Sequence, residues 1–140
     1  MKKILNLERW NIMEYIIIEN EKIGQVKAKL LTDKNPKTVQ AIWDTLPLEL
    51  NLARWGEELY GTIPIKMEAE NSQKECEIGD IGYWIDGRGF CIFFGPTPAS
   101  SGTNNPVAAT PVNIFAKIED ADPKLFNQFE TFHGTVKKGD

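Results

Sequence analysis

The chain has one histidine, two cysteines, no long apolar run and no excess of basic residues. Each scarcity excludes a class of function. His133, beside Gly134 and after a short helical pattern, is expected to be a polar helix-end residue rather than a catalytic base. Nothing local joins it to Ser100 or Ser101 in a triad. Cys76 and Cys91 have no metal-type spacing, so no metal site is expected and both thiols are expected to be free. No glycine-rich phosphate loop is present, and no cofactor is expected. A net charge of −4 and a pI near 5.1 repel phosphate backbones, and Lys137-Lys138 is only a pair. Nucleic acid is therefore not an expected partner. The opening MKKILNLER starts like a secretory leader, but charge returns after Leu7, short of the 7–15 apolar residues a leader needs. No stretch approaches the ~20 apolar residues of a membrane helix. The expected location is the cytoplasm, with no membrane contact.

What is present suits one domain. A chain of 140 residues can bury roughly 68–70% of its extended surface around a single core. Four tryptophans, three tyrosines and seven phenylalanines give that core its bulk. Residues 13–18 are β-branched and aromatic and read as a strand. Val26, Ala28 and Leu30 alternate with Gln25, Lys27 and Lys29 and read as its hairpin partner. Asn35-Pro36 is a helix start, with Asn35 as the expected cap. Val39, Ile42, Trp43 and Leu46 form an apolar helical face before Pro47 stops it. Leu59 to Ala69 reads mostly as strand, with Pro64 at an edge or bulge. Residues 81–85 and 90–94 flank DGRG as a hairpin. Residues 95–111 form a long polar loop, and 112–118 another alternating strand. Asp122-Pro123 starts a second short helix carrying Leu125, Phe126 and Phe129, and residues 135–137 are a candidate closing strand. Many strands with two short helices predict a mainly β, closed antiparallel barrel over residues 13–140. Residues 1–12 are set apart as an N-terminal strand or arm.

Residues 24–38, GQVKAKLLTDKNPKT, resemble the N-terminal signature of the cyclophilins, in which a strand runs into a D-x-x-P-K-T helix start. Asp33, Pro36, Lys37 and Thr38 match it in place. Fainter likenesses follow in family order at EIGDIGYW, FCIFF, VNIFAKI and LFNQF. The resemblance spans most of residues 13–138 and implies a cyclophilin-like barrel with two capping helices. WGEELY, Gly79-Asp80 with Tyr83-Trp84, and FFGPTP are similar to a narrower group, the small stand-alone cyclophilin-like proteins of bacteria and archaea. That group has no established biochemical role as a family property.

What the family resemblance implies for chemistry depends on one strand. A cyclophilin isomerase lowers an Xaa-Pro rotation barrier of about 18–20 kcal/mol by gripping proline and aiming an Arg from F-H-R-I-I at the twisted amide. This chain has no F-H-R-I-I. In one register Leu52-Ala53-Arg54 replaces F-H-R and Arg54 is the donor. In the other the strand is residues 57–62, led in by Trp55-Gly56, and carboxylates stand near the donor position. An ionised carboxylate only accepts hydrogen bonds, so isomerisation would fail there. The candidate catalytic residues are thus Arg54, Glu57 and Glu58. As strand neighbours the two glutamates face opposite ways, Glu58 with Tyr60 and Glu57 with Leu59. Tyr60, Trp84, Phe93, Phe94, Pro96, Thr97 and Pro98 are candidates for a ligand groove on the outer face. The expected role is a module that holds a proline-containing peptide or a small molecule without the usual arginine. An active isomerase and a carboxylate-based enzyme are the alternatives.

Overall fold

The structure, a computed structural model, describes residues 13–139. The arm or strand expected over residues 1–12 lies outside the described residues. Nine strands follow in chain order: β1 (Tyr15–Asn20), β2 (Gly24–Leu30), β3 (Leu48–Arg54), β4 (Glu58–Thr62), β5 (Gln73–Glu75), β6 (Asp80–Trp84), β7 (Gly89–Phe93), β8 (Val107–Ile118) and β9 (Thr131–Lys138). One α-helix, α1 (Pro36–Thr45), lies between β2 and β3, and a 3-10 helix (Pro123–Gln128) precedes β9. The strands pair in the order β2-β1-β9-β3-β4-β7-β6-β8, and a β2–β8 pairing closes the ring, with β5 added on β8. Every pairing is antiparallel. The expected closed barrel with two short helices is therefore the observed fold, the second helix being a 3-10 turn. Among the described residues no helix is long and apolar enough to cross a membrane.

Local chemistry explains the first hairpin. The Asn20 side chain accepts from the backbone N–H groups of Lys22 and Ile23, and Gly24 takes a φ of +67°. An asparagine folding back on its own turn and a glycine in the left-handed region together fix the reversal. The alternating residues then turn inward: Ile16 and Ile18, Val26, Ala28 and Leu30, Leu50 and Leu52. Val39 and Ile42 of α1 and Phe126 of the 3-10 helix join the same core.

Four expectations are corrected. Asn35 precedes α1 but its side chain does not cap it. It is fully buried, donating to the Ile114 carbonyl and accepting from the Asn71 N–H. The cap comes from far along the chain, where Glu70 accepts from the N–H of Lys37 and from the N–H and hydroxyl of Thr38. A carboxylate on free N–H groups at a helix start also meets the favourable end of its dipole. Glu70→Ala is expected to cost about 1–2 kcal/mol in urea unfolding; no measurable loss would contradict this capping role.

The strand expected to run to Ala69 stops at Thr62. Ile63 and Ile65 stay buried, but side chains rather than a ladder satisfy the backbone beyond them. The Tyr83 hydroxyl donates to the Ile65 carbonyl and accepts from the Met67 N–H, while Asn113 bonds Glu68 and Glu70. Conversely, Leu48–Arg54, of which one register above places only Leu52-Ala53-Arg54 on a strand, forms β3, because Leu48, Leu50 and Leu52 alternate into the core. The loop expected over 95–111 ends at Pro106. β8 starts at Val107 and tolerates Pro111 where its pairing is irregular.

Candidate functional site

The barrel wall made by β4, β7, β6 and β8 is buried on both sides. Its inner face carries Leu59, Ile92, Ile81 and Tyr83. Its outer face carries a second apolar cluster of Cys76, Cys91, Phe93, Ala108, Val112 and Ile114, with Tyr60 and Trp84 packed on it. Strand pairing sets this outer row: Glu58 lies opposite Phe93, Tyr60 opposite Cys91, and Trp84 opposite Val112.

A cavity of about 190 Å³ opens on this outer face, lined by Trp55, Glu58, Tyr60, Trp84, Ala108, Ala109 and Val112. The rings of Tyr60 and Trp84 meet edge to face, with centroids 5.9 Å apart and planes at 88°. The Trp84 indole N–H donates to the Thr110 hydroxyl at 2.6 Å. Its ring also lies against the β6–β7 turn, where a Cβ on Gly87 would stand 2.2 Å from the indole. Gly87 is therefore needed for close approach. The left-handed residue of that turn is its neighbour Arg88, at a φ of +48°.

Among the described residues Glu58 is the one charged residue of the lining. It is only 5% exposed, and burial pushes its carboxyl up to about 7, with a bond from the Cys91 thiol opposing. Buried carboxyls rise because a low-dielectric setting penalises the charged form. Both thiols are free and buried. Burial pushes Cys76 up to about 12 and Cys91 well above the ordinary thiol range. Among the described residues no cluster of His, Cys, Asp and Glu is arranged to hold a metal ion.

The other sequence candidates are placed elsewhere. Arg54 ends β3 and turns away from the cavity. Its guanidinium donates to the carbonyls of Gly56, Asn127 and Phe129 and to the Asn127 side-chain oxygen, and it stacks 5.2 Å from the Phe94 ring centroid. Phe94 is fully buried in the barrel core beside Phe126. Glu57 pairs with Lys124 at 2.8 Å, apart from Glu58. Phe93 is fully buried in the outer cluster. His133 is in β9 rather than at a helix end, 2.7 Å from the Asn51 side-chain oxygen.

Pro96, Thr97 and Pro98 form a strap beneath the turn that carries Trp55. Gly56 holds that turn at a φ of +61°, and a Cβ there would come within 2.7 Å of Pro98 and 2.8 Å of the Thr97 backbone. Glu57 donates its N–H to the Pro96 carbonyl, and the Thr97 hydroxyl donates to the Val107 carbonyl. So Glu58, Tyr60 and Trp84 come together at the cavity, and the FGPTP segment supports it from behind. Sequence reading missed Trp55, Ala108, Ala109 and Val112. The adjacent alanines, small residues in a polar stretch, were the available signal that something else needs space there.

A family model described as cyclophilin-like matches residues 14–136. The solution structure of the hypothetical protein AF2241 from Archaeoglobus fulgidus is similar, with a TM-score of 0.73 and 32% identity, over 91% of this chain and 96% of that one. The structure of McbB in complex with tryptophan is also similar, with a TM-score of 0.67 and 17% identity, over 88% of this chain and 44% of that one. At that identity the likeness to McbB shows the fold alone. No curated protein matches the chain.

Proposed function

The chain belongs to the cyclophilin-like family, and from that premise we propose that it is a binding module, not an isomerase. Its outer-face cavity takes a compact apolar body, either a small molecule or the proline ring of a peptide. The observation that carries this reading is the cavity itself: aromatic rings and small side chains around a single buried carboxyl. Concave, mostly apolar sites with one fixed polar group are the usual form of small-ligand pockets. An isomerase reading lacks support because Arg54, the nearest analogue of the family donor, spends its guanidinium on four acceptors outside the cavity. The reducing cytoplasm, where free buried thiols are ordinary, is the compartment that fits this reading.

The test uses two neutral probes, N-acetylproline methylamide and benzyl alcohol, followed by NMR. Shifts of the Trp55 and Trp84 indole signals, with no acceleration of Xaa-Pro exchange, are expected. Acceleration of exchange would overturn the binding-only reading.

One observation favours a second reading. A carboxyl pushed up to about 7 is poised near neutral pH, as a general acid or base must be. In that reading Glu58 transfers a proton to or from the occupant of the cavity. Glu57 takes no part, because Lys124 holds it elsewhere.

A further inference from the structure

We propose that the natural occupant of this cavity is a small amine, held as its cation against the Tyr60 and Trp84 rings with its charge on Glu58. The inference rests on the binding reading above and names the ligand class.

The charge balance of the site comes first. Glu58 is nearly buried, and its polar neighbour is the weak donor Cys91. Among the described residues no lysine, arginine or histidine lines the cavity. Lys124 pairs with Glu57 and Lys117 with Glu77 and Asp80, while Lys34 acts on Cys76 and not on Glu58. A carboxylate removed from water without a counter-charge is costly, and the described residues supply none. A ligand cation would supply it. An anionic ligand would meet like charge, and a neutral one would leave the carboxylate uncompensated.

The walls point the same way. The Tyr60 and Trp84 rings both line the cavity beside Glu58, and the attraction of an aromatic ring for a cation strengthens with desolvation. The Trp84 ring is held in place by its bond to Thr110 and by the turn at Gly87, so this wall is preformed. Size limits the occupant. A cavity of about 150 Å³ holds benzene, so the 190 Å³ here fits one ring with a short amine arm, or a compact aliphatic amine.

Binding is then linked to protons. A bound cation keeps Glu58 ionised, so below neutrality binding expels the carboxyl proton. Among the described residues the titratable groups around Glu58 are Tyr60 on its own strand, Cys91 across on β7, and Cys76. Burial holds both thiols in their neutral form through this range, and the β8 side presents only Ala108, Ala109 and Val112.

The experiment is calorimetric titration of the full chain with benzylammonium, benzyl alcohol and benzoate at pH 8, with the indole signals followed in parallel. Benzylammonium is expected to bind at least about tenfold tighter than benzyl alcohol, and benzoate not to bind. Affinity for the amine should fall about tenfold per pH unit below 7. Glu58→Gln should bring the amine-to-alcohol ratio close to one while still binding the alcohol. Equal binding of amine and alcohol by the natural chain, or a preference that survives Glu58→Gln, would overturn the amine assignment and leave the pocket reading standing. If no probe shifts the Trp55 and Trp84 signals, both fail.

Discussion

Glu58→Gln is expected to make the chain more stable at pH 8 by up to roughly 3 kcal/mol, and to make no such difference at pH 4. The sign follows from the carboxyl's surroundings. Burial pushes Glu58 up to about 7 in the folded chain, against an ordinary value of 4.5. Below 4.5 the group is protonated whether folded or not, and its contribution is fully present. Between 4.5 and 7 the unfolded chain releases the proton while the folded chain keeps it, so stability falls as pH rises. Above 7 the loss is complete. At about 1.36 kcal/mol per pH unit, that interval corresponds to roughly 3 kcal/mol. Glutamine has nearly the same shape and no such cost, so the gap between variant and natural chain should open across this window. Urea unfolding at pH 4, 6 and 8 measures it. A gap that is constant with pH, or a variant less stable at pH 8, would contradict the burial account. A residue that weakens its own fold at neutral pH is unusual unless it serves a ligand, and stability given up at a working site is a common pattern.

Arg54→Ala is expected to cost about 2–3 kcal/mol in unfolding and to leave Xaa-Pro exchange unchanged. The guanidinium ties the end of β3 to the Trp55-Gly56 turn and to the C-terminal end of the 3-10 helix, at Asn127 and Phe129, through four hydrogen bonds. It also covers the Phe94 ring. Bonds from a charged group contribute more than neutral ones, although these lie partly in solvent. Arg54→Lys should recover little, since an ammonium cannot serve several acceptors in the fixed planar spread of a guanidinium. Unchanged stability in Arg54→Ala would show that the clasp is idle. A drop in exchange catalysis would return Arg54 to the role that family resemblance suggested.

Much of the fold was legible because its signals are local. The Asn20 turn, the alternation of Val26, Ala28 and Leu30, and the Pro36 helix start each specify structure within a few residues. What failed was long-range. Glu70 caps a helix that begins 34 positions earlier, and no local pattern announces that. Asn35 looked like a cap because asparagine before proline usually is one; burial against β8 gave it other partners.

The site was half legible for a related reason. Glu58, Tyr60 and Trp84 were named from alternation and from their neighbours. Alternation loses meaning where both faces of a strand are covered, as in β7, which is buried at every residue. Phe93 and Phe94 therefore looked equally suited to a groove, yet one packs in the outer cluster and the other in the core. Trp55, Ala108 and Ala109 reach the cavity only because the strap over residues 95–106 brings the Gly56 turn and the start of β8 together.

The central claim is that the buried carboxyl of Glu58 is the polar centre of a ligand pocket. The most direct measurement is a carbon-13 NMR titration of that carboxyl, alone and with saturating benzylammonium. A midpoint near 7 is expected in the free chain, and a clear fall once the amine is bound. A midpoint in the ordinary carboxylate range, unmoved by the amine, would contradict it.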